Sequence, residues 1–493
     1  MAIGYLDSTY LDNIADAIRA KDGSSSDMTV AEMPQKIAAI PTGGGAEWVE
    51  GGVNFVDWDG TLLYSYTLAE AHNLTALPEL PPAYKDYTAS SWTENLAFVK
   101  ALTVPWMVGV EYTTPRKSTR IFITVPADCL EVVWQSCSTF LTQYEIVDWG
   151  DGTNSGVITK TTTRTFTNHT YSAPGDYTIT VWNTDSTGTD VQPWSINSTG
   201  TPTCPVIMSL KEYTLRFVSS QPTGITQLYF SLVTSVEFGT GFWILSYPFT
   251  TMYNLKKVLI PHSGQYTESY QYISSSAFEY SGLETLVCPE GVRNIIPVNY
   301  LTFVKKVVFP YSKIISTLLN SLYQGCMMLE HINWWPTIVN SNKQGTAMMN
   351  TFYGCSFIKE RLNIPDGIVN AQSCFTGSTL IGNMNIDGNL PSSIVTLTNT
   401  FSNSSFAGEL TVNSTGSLSW SNFVSNSPGI TAVHMKATTP QTLGTNTFGA
   451  TAYYARKPLI YVPYSADHSV LNDYKTAWSA YADFIYEEPA PTT

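Results

Sequence analysis

The sequence predicts a multidomain, mainly β protein whose second half is a solenoid of stacked repeats. Three observations carry this prediction. The length of 493 residues exceeds what one hydrophobic core can hold. Residues 108–200 alternate between apolar and polar side chains, and a short apolar pattern recurs from about Ile225 to Tyr461. We therefore expect five consecutive regions, namely 1–42, 43–107, 108–200, 201–457 and 458–493.

Residues 1–42 are predicted to form a helical hairpin. Thr9-x-x-Asp12 and Thr29-x-x-Glu32 are capping-box-like starts of two short amphipathic stretches. Two such helices cannot enclose a core, so we expect them to dock onto a larger assembly. The apolar residues available for this attachment are Leu11, Ile14, Ile18, Met33 and Ile37. The stretch resembles an N-terminal segment of structural proteins from phages of Gram-positive gut bacteria, from which Pro34 departs, and this resemblance implies attachment to other virion proteins.

Residues 43–107 are predicted to form a small α+β module that follows a flexible glycine joint. The stretch 53–61 alternates like a strand and ends in a tight turn, and Thr67-Leu-Ala-Glu70 is a capping box for a short helix. The region looks like a β-grasp-like module of phage and surface proteins. Asp57-x-Asp59-Gly-Thr61 also resembles the nucleophile loop of a phosphatase, but the short region before the next domain leaves no room for that fold.

Residues 108–200 are predicted to form a β-sandwich, because short alternating strands follow one another with polar turns between them. Two motifs refine this prediction: Asp148-Trp-Gly-Asp-Gly-Thr153, and His169-Thr-Tyr171 followed by Pro174-Gly-Asp-Tyr177. In type, spacing and order they resemble the polycystic-kidney-disease type of immunoglobulin-like domain. The resemblance implies an immunoglobulin-like sandwich.

Asp148 and Asp151 are weak calcium candidates. Two carboxylates are few for an ion that takes six to eight oxygen ligands. The glycines at 150 and 152 permit a tight turn with positive φ, and Asp151 can accept hydrogen bonds from turn amides. A structural turn is the favoured interpretation, with His169 packing against it. We expect no bound metal or cofactor elsewhere, because no CxxC or Cys/His zinc spacing occurs.

Residues 201–457 are predicted to form a leucine-rich-repeat solenoid. Clear copies of the apolar pattern are centred on Val258, Leu286, Val307 and Ile332, and looser copies follow near residues 362, 384, 410 and 433. Steps of roughly 20–30 residues suit this type of repeat. Each unit supplies one short strand and cannot bury its apolar face alone, so the units must stack.

An aromatic residue followed by small residues recurs before many of these strands. It occurs at Phe278, Tyr323, Phe352, Phe375 and Phe401. A tight turn at these positions would lay each ring onto the stack. Together with Cys288-Pro-Glu-Gly291 and Ile364-Pro-Asp-Gly367, these residues resemble the irregular leucine-rich repeats of bacterial surface proteins.

Strand alternation predicts which side chains leave the core. One outward column then reads Leu259, Val287, Val308, Asn333, Asn363, Asn385, Thr411 and His434. Its neighbour reads Lys257, Thr285, Lys306, His331, Arg361, Asn383, Glu409 and Ala432. The early half is apolar enough to pack against another domain or subunit.

The later half of this outward face carries the candidate binding residues for a host glycan or protein. They are His331, Asn333, Trp335, Arg361, Asn363, Asn385, Glu409 and His434. Amides and charged groups on a sheet face suit the recognition of hydroxyl groups. The alternative is an ordinary solvated face, and Trp335 fits either a sugar platform or a subunit contact.

Residues 458–493 are predicted to cap the array with a strand at 458–463 and an amphipathic helix from Val470 to Ile485. This pattern resembles the closing segment found after irregular leucine-rich repeats. Four of the seven cysteines (288, 326, 355 and 374) fall at repeat positions as buried free thiols, and Cys129–Cys137 is the close pair to test as a disulfide.

Composition limits the functional classes. The net charge of −14 and the absence of a Lys/Arg cluster argue against nucleic acid. No stretch is apolar enough to insert into a membrane, and the first residues lack the pattern of a signal peptide. Neither a nucleophile elbow nor a phosphate loop occurs, so we expect no enzymatic activity, although a glycan-cleaving carboxylate pair would be invisible in a sequence.

Two functions remain. The first is a virion protein of a phage, made in the host cytoplasm: a tail fibre, spike or receptor-binding protein, or a head or neck decoration fibre. The second is a bacterial adhesin with irregular leucine-rich repeats. We favour the virion protein because the sequence reads as extracellular yet carries no export signal. Virion symmetry predicts a homo-oligomer, with a trimer as one arrangement.

Overall fold

The computed structural model describes residues 47–85, 87–113, 119–125, 127, 130–136, 144–159, 165–183, 213–215, 235–238, 244–245, 253–260, 272–273, 278–288, 299–310, 319–334, 347–377, 385–404, 406–449 and 457–491. Several predictions fall on other residues. The hairpin of residues 1–42, with Leu11, Ile14, Ile18, Met33 and Ile37, lies outside the described residues, as do Trp335 and the Cys129–Cys137 pair.

Residues 47–113 form a small α+β unit, which we call the module. Its four strands are β1 (Val53–Val56), β2 (Leu62–Tyr66), β3 (Thr88–Trp92) and β4 (Trp106–Thr113), in the sheet order β2-β1-β4-β3. Two short helices, α1 (Leu68–His72) and α2 (Leu96–Ala101), accompany the sheet. Strand β1 pairs with β4 in parallel and with β2 in antiparallel orientation. Strand β4 runs past residue 107, so the sheet extends beyond the predicted end of this region.

The predicted capping box at the start of α1 is confirmed. The Thr67 hydroxyl accepts a hydrogen bond from the backbone N–H of Glu70, and the Glu70 carboxylate accepts one from the backbone N–H of Thr67 at 2.8 Å. Both bonds satisfy amides that the helix itself cannot pair.

Replacing Thr67 with alanine should therefore lower the free energy of unfolding by about 1 kcal/mol. Urea denaturation of the full chain, followed by circular dichroism, measures this loss. Thr67→Ser retains the hydroxyl and is the matched control. An equal loss for both variants would show that the methyl group, rather than the cap, is responsible.

Two antiparallel sheets follow the module, as expected for a β-sandwich. Their strands are β5 (Thr119–Val125), β6 (Glu131–Ser136), β7 (Tyr144–Asp148), β8 (Asn154–Thr159), β9 (Thr165–Thr170) and β10 (Gly175–Asn183). One sheet contains β5-β10-β7-β8 and the other pairs β6 with β9. Val132 from the second sheet belongs to the same core as Ile123, Val147 and Ile179 from the first.

The first strands of the repeat region extend the sandwich sheet. They are β11 (Tyr213–Leu215), β12 (Ser235–Phe238) and β14 (Lys257–Leu259). Strand β11 pairs with β5 on one side and in parallel with β12 on the other, and β12 then pairs in parallel with β14. Backbone hydrogen bonds therefore join the sandwich directly to the solenoid.

Strands β12 and β14 begin a β-solenoid of parallel strands, which we call the array. Its other strands are β13 (Ile244–Leu245), β15 (Tyr272–Ile273), β16 (Thr285–Val287), β17 (Lys306–Val308), β18 (His331–Ile332), β19 (Asn389–Leu390), β20 (Gly408–Val412) and β21 (Ile430–Met435). Strands β16-β17-β18 form one parallel sheet, β19-β20-β21 belong to another, and β13 pairs with β15. The central residues Leu286, Val307 and Ile332 are buried, as predicted.

The predicted register is confirmed at both ends of this series. Thr285 pairs with Lys306, and Lys306 pairs with His331. Further along, Thr411 pairs with His434. The alternation of apolar residues was sufficient to fix the alignment of these turns.

The predicted register is wrong near residue 385. Leu362 bridges Ile386, so Asn385 lies beside Arg361 rather than beside Asn363. Thr411 pairs with Asn389 rather than with Asn385. The reason is that this turn has two buried contacts: Ile386 meets the preceding turn, and Leu390, four residues later, meets the following one.

The recurring aromatic residues form a buried ladder through the array, as predicted. Tyr323 stacks on Phe352 at 5.7 Å, Phe352 on Phe375 at 5.5 Å, and Phe375 on Phe401 at 5.2 Å between ring centroids. The four rings are at most 1% exposed. Each ring therefore packs on the ring of the next turn.

A left-handed residue stands two positions before each ring of this ladder. These residues are Ser321, Asn350, Ser373 and Asn399, with φ between 55° and 59°. Asparagine is among the few residues that adopt this conformation readily. The backbone N–H of each turn then donates to a carbonyl of the next turn, as Phe352 does to Cys374 and Phe375 does to Thr400. Left-handed serine and asparagine residues at these positions were not predicted from the sequence.

Four thiols lie inside the array, as predicted. Cys288, Cys326, Cys355 and Cys374 are free and at most 3% exposed. Burial raises the pKa of the Cys326 thiol to about 12 and raises the pKa values of the other three thiols as well. They pack as small apolar groups.

A strand and a helix close the array, as predicted. They are β22 (Leu459–Val462) and α3 (Ser469–Ala477). The predicted helix is wrong in its last part, because the chain continues as a 3-10 helix over Ser479–Phe484 and then as β23 (Ile485–Glu487), parallel to β22. Tyr474 and Trp478 are buried, and Trp478 packs edge-on against Trp420 at 5.7 Å. Within the described ranges, every helix falls short of the length and apolarity that crossing a bilayer requires.

Candidate functional site

The module covers the early half of the outward face of the array. Val56 and Met107 form a buried apolar cluster with Val287 and Val308. A Cβ at Gly109 would lie 2.5 Å from the Val287 side chain, so only glycine allows β4 to approach this closely. The predicted contact of this apolar half with another domain is therefore made within the chain.

Asn333 is the polar centre of this contact. Its side chain points out of the array, as predicted, but meets the module instead of solvent. The Asn333 carboxamide accepts a hydrogen bond from the Met107 backbone N–H at 2.8 Å and donates to the Met107 carbonyl at 3.0 Å. It also donates to the Phe309 carbonyl at 2.8 Å. Asn333 is 1% exposed, so in this arrangement it is not available to an outside partner.

His331 lies at the edge of the same contact and is also buried. Its Nδ1 is 3.0 Å from Glu360, and its ring lies 4.4 Å from the ring of Trp48 in the module. The Lys306 ammonium also contacts the Trp48 ring and lies 4.5 Å from its centroid. Burial lowers the pKa of the Lys306 ammonium. His331 thus joins the module to the array.

The two carboxylates of the Asp57-x-Asp59-Gly-Thr61 loop face this junction too. Asp57 accepts hydrogen bonds from the backbone N–H of Trp58 and from the Tyr112 hydroxyl, and burial raises its pKa. Asp59 forms an ion pair with Lys257 of the array at 2.7 Å. Both carboxylates therefore serve contacts within the module or with the array.

An open cleft of about 350 Å³ lies where the module ends on the array. One wall comes from the module and the other from the turns around Trp334, Leu362 and Ile386. The cleft is lined by Glu50, Gly51, Val104, Pro105, Trp334, Lys359, Glu360, Arg361, Asn363, Asn385 and Asp387. Its volume falls at the lower end of the range of small-molecule sites, about 300–1,000 Å³.

Three of the predicted binding residues meet in this cleft: Arg361, Asn363 and Asn385. The Arg361 guanidinium is 68% exposed and forms an ion pair with Asp387 at 3.2 Å. The Asn363 oxygen accepts a hydrogen bond from the Trp334 indole N–H at 2.9 Å. The bridge between Leu362 and Ile386 places Asn385 next to Arg361. The same bridge places Asp387 next to Asn363.

Lys359 crosses the cleft from the array to the module. Its ammonium lies 3.3 Å from Glu50 of the module and 3.3 Å from Glu330 of the array. Although partial burial opposes it, these two hydrogen-bonded carboxylates raise the pKa of Lys359. Glu50, Lys359 and Asp387 were not predicted from the sequence. Strand alternation identifies side chains that point outward, but it does not tell which distant segment of the chain they meet.

The remaining two predicted binding residues lie elsewhere on the array. His434 Nδ1 is 2.7 Å from Glu488, and its Nε2 is 3.2 Å from Glu409. The His434 ring stacks on Tyr461 at 4.9 Å. Glu409 and His434 thus form a separate surface cluster near the cap.

Asp148 and Asp151, the weak calcium candidates, stabilise a turn. The Asp148 carboxylate accepts from the Gly150 N–H at 2.8 Å. The Asp151 carboxylate accepts from both the N–H and the hydroxyl of Thr153 and lies 2.8 Å from His169 Nε2. Although burial opposes it, these hydrogen bonds lower the pKa of Asp151. Gly150 and Gly152 have φ of 79° and 88°, the left-handed values expected for this turn. Among the described residues, no group of three or more His, Cys, Asp or Glu side chains is placed to hold a metal.

Calcium should therefore leave the stability of the full chain unchanged. The expected result is the same Tm in millimolar CaCl₂ and in EGTA, measured by differential scanning calorimetry, because two carboxylates are few for this ion and Asp151 already contacts Thr153 and His169. Asp151→Asn is the companion variant and should lower Tm in both solutions. A Tm that rises with calcium and loses this response in Asp151→Asn would contradict the expectation.

Comparison with known proteins gives little further information. No protein-family model matches the sequence, and no curated protein matches it. Among solved structures, a leucine rich cell surface protein from Faecalibacterium prausnitzii A2-165 aligns at 12% identity with a TM-score of 0.25, covering 58% of this chain and 90% of the other. A likeness at this level carries no inference about function.

Proposed function

We propose that the chain is a structural virion protein of a phage that infects Gram-positive gut bacteria, and that it acts as a tail fibre, spike or receptor-binding protein. Residues 1–42 attach it to other virion proteins. The module and the sandwich act as spacers, and the later half of the array contacts a glycan or protein on the host surface. A head or neck decoration fibre would use the same attachment with weaker host contact.

The observation that carries this proposal is the division of the outward face into a covered and an open half. The module occupies the early half, which contains Val287, Val308 and Asn333. The later half leaves Arg361 and Asn385 exposed in an open cleft. Only 13% of the residues are charged, so the protein offers amides and hydroxyls for recognition. Such a rigid, polar surface is well suited to bind a cell-surface partner.

One resemblance supports a virion role, that of residues 1–42 to an attachment segment of phage structural proteins. The motif at 148–153, which resembles that of polycystic-kidney-disease-type domains, does not discriminate between a virion protein and an adhesin. Virion attachment points are symmetric, so we propose a homo-oligomer, with a trimer as one arrangement.

The decisive experiment locates the protein in intact particles. Gold-labelled antibodies against the array should decorate one symmetric position of the purified virion, and a chain lacking residues 1–42 should no longer be incorporated. Purified full-length protein should bind host cells and compete with infection. Absence from purified particles would overturn the virion role.

A bacterial surface adhesin is the second candidate, favoured by the aromatic turns of the array and their resemblance to bacterial surface repeats. An adhesin would bind its partner through the same surface of the array, but it would be attached to a bacterial cell instead of a virion. Antibodies that label the surface of intact bacterial cells carrying no phage would favour the adhesin. Neighbouring genes for capsid and tail parts would favour the virion protein.

A further inference from the structure

We infer that the cleft between the module and the array binds a neutral, hydroxyl-rich ligand, namely a sugar unit of a cell-surface polysaccharide. This inference rests on the proposed function, because it specifies what the open half of the array recognises. The binding groups are Arg361, Asn363, Asn385 and Asp387, and the module supplies the facing wall.

The charges of the cleft favour a neutral ligand. Its lining holds three carboxylates, those of Glu50, Glu360 and Asp387, and two cations, Lys359 and Arg361. Each cation has an acidic partner within 3.3 Å. An anionic polymer would meet a surplus of carboxylates. A cation would find each of these carboxylates already engaged, Glu50 by Lys359, Glu360 by His331 and Asp387 by Arg361.

The hydrogen-bonding groups match a polyol. The Asp387 carboxylate can accept hydrogen bonds from ligand hydroxyls, and the neighbouring Arg361 guanidinium can donate to them. A hydroxyl group is both a donor and an acceptor, so it can bind to both side chains at once. The side-chain oxygen of Asn363 accepts a hydrogen bond from the Trp334 indole N–H. This bond fixes the orientation of the Asn363 NH₂ group. Within the described residues, the side-chain amide of Asn385 has no hydrogen-bond partner, and the residue is exposed. The side-chain amides of Asn363 and Asn385 can therefore form further hydrogen bonds with vicinal hydroxyls of the ligand.

The apolar side of the cleft comes from the module. Val104 and Pro105, between α2 and β4, face the polar residues of the array across the opening. A sugar ring has apolar C–H faces as well as hydroxyl edges, and a cleft with one apolar and one polar wall fits both. The Lys359–Glu50 ion pair joins these walls at the rim. The site is therefore composite and requires the docked module.

The test uses the full chain and a glycan array of immobilised neutral mono- and oligosaccharides, with uronic acids and phosphorylated sugars as anionic counterparts. We expect binding to a subset of the neutral sugars that changes little between low and high salt. Arg361→Ala and Asn385→Ala should each weaken binding by about tenfold or more. Val104→Trp should abolish it by filling the cleft from the module side without removing any hydrogen-bonding group.

Lys475→Ala and Asn472→Ala, on the exposed surface of α3, are the matched controls and should bind like the unmodified chain. Unchanged Tm values for Arg361→Ala and Asn385→Ala establish that the fold is intact. Host-cell binding, measured in parallel, distinguishes failure of the cleft inference from failure of the proposed receptor-binding function. If cells are bound equally by unmodified chain, Arg361→Ala and Val104→Trp, the cleft inference is overturned and the proposed function stands.

Two other outcomes would also overturn the cleft inference. One is selective binding of the anionic sugars. The other is cell binding that survives periodate oxidation of the cells but is lost after protease treatment, which would identify a protein receptor. If the full chain binds neither sugars nor any candidate host cell, the receptor-binding role itself fails.

Discussion

Replacing Phe352 with alanine should destabilise the array by about 3–5 kcal/mol, the cost typical of removing a fully buried aromatic ring. The ring is fully buried, lies between Tyr323 and Phe375 in the aromatic ladder, and meets Trp334 edge-on at 5.1 Å. Urea denaturation followed by tryptophan fluorescence measures the loss as a shift of the midpoint.

Tyr353→Ala is the matched control for this prediction. Tyr353 is the next aromatic residue in the chain, but 41% of it is exposed. Its removal should change the free energy of unfolding by about 0.5 kcal/mol or less. Because turns of a solenoid contact only their neighbours, the Phe352 variant should also unfold the array in more than one step. Equal shifts for the two variants would contradict the ladder as the source of stability.

Replacing Asn333 with alanine should cost about 2–4 kcal/mol, because it leaves the buried N–H and C=O groups of Met107 without partners. Three hydrogen bonds are lost together. We expect Asn333→Asp to be worse, since it keeps the acceptor for the Met107 N–H but loses the two donated bonds and buries a charge. Differential scanning calorimetry gives the stability. Hydrogen exchange of the Met107 amide reports locally on the contact.

Asn385→Ala provides the control, because Asn385 is exposed and lies on the same face of the array. It should leave both Tm and the exchange of the Met107 amide unchanged. In Asn333→Ala, faster exchange should be confined at first to β4 and the strands that touch it. An unchanged Met107 exchange rate in Asn333→Ala would mean that apolar packing alone holds the module.

Apolar spacing was sufficient to predict the repeats where each turn has one unambiguous core position. Leu286, Val307 and Ile332 each fill such a position, and their strands pair as expected. Near residue 385 the spacing offers Met384 and Ile386, and it predicts Met384 as the central core position. Sequence alone could not choose, because the outcome depends on the close approach at Gly388, where a Cβ would lie 2.0 Å from the Glu409 carbonyl oxygen. That approach is a property of the stacked turns.

The candidate site was predictable only in part for a related reason. Alternation identified Arg361, Asn363 and Asn385 as outward residues, and all three line the cleft. It could not identify Glu50 or Val104, which come from a segment far away in the chain. It also treated Asn333 as a surface residue, because an asparagine that satisfies a buried backbone looks the same in a sequence as one that faces water.

Strand β11, which joins β5 of the sandwich to β12 of the array, has a mechanical consequence. Strand β11 pairs with β5 at Tyr213 and Ile121 and with β12 over Tyr213–Leu215, so separating the sandwich from the first repeat strands requires these backbone pairings to break. A load that pulls the sandwich and the first repeat strands apart is therefore borne by the sheet itself.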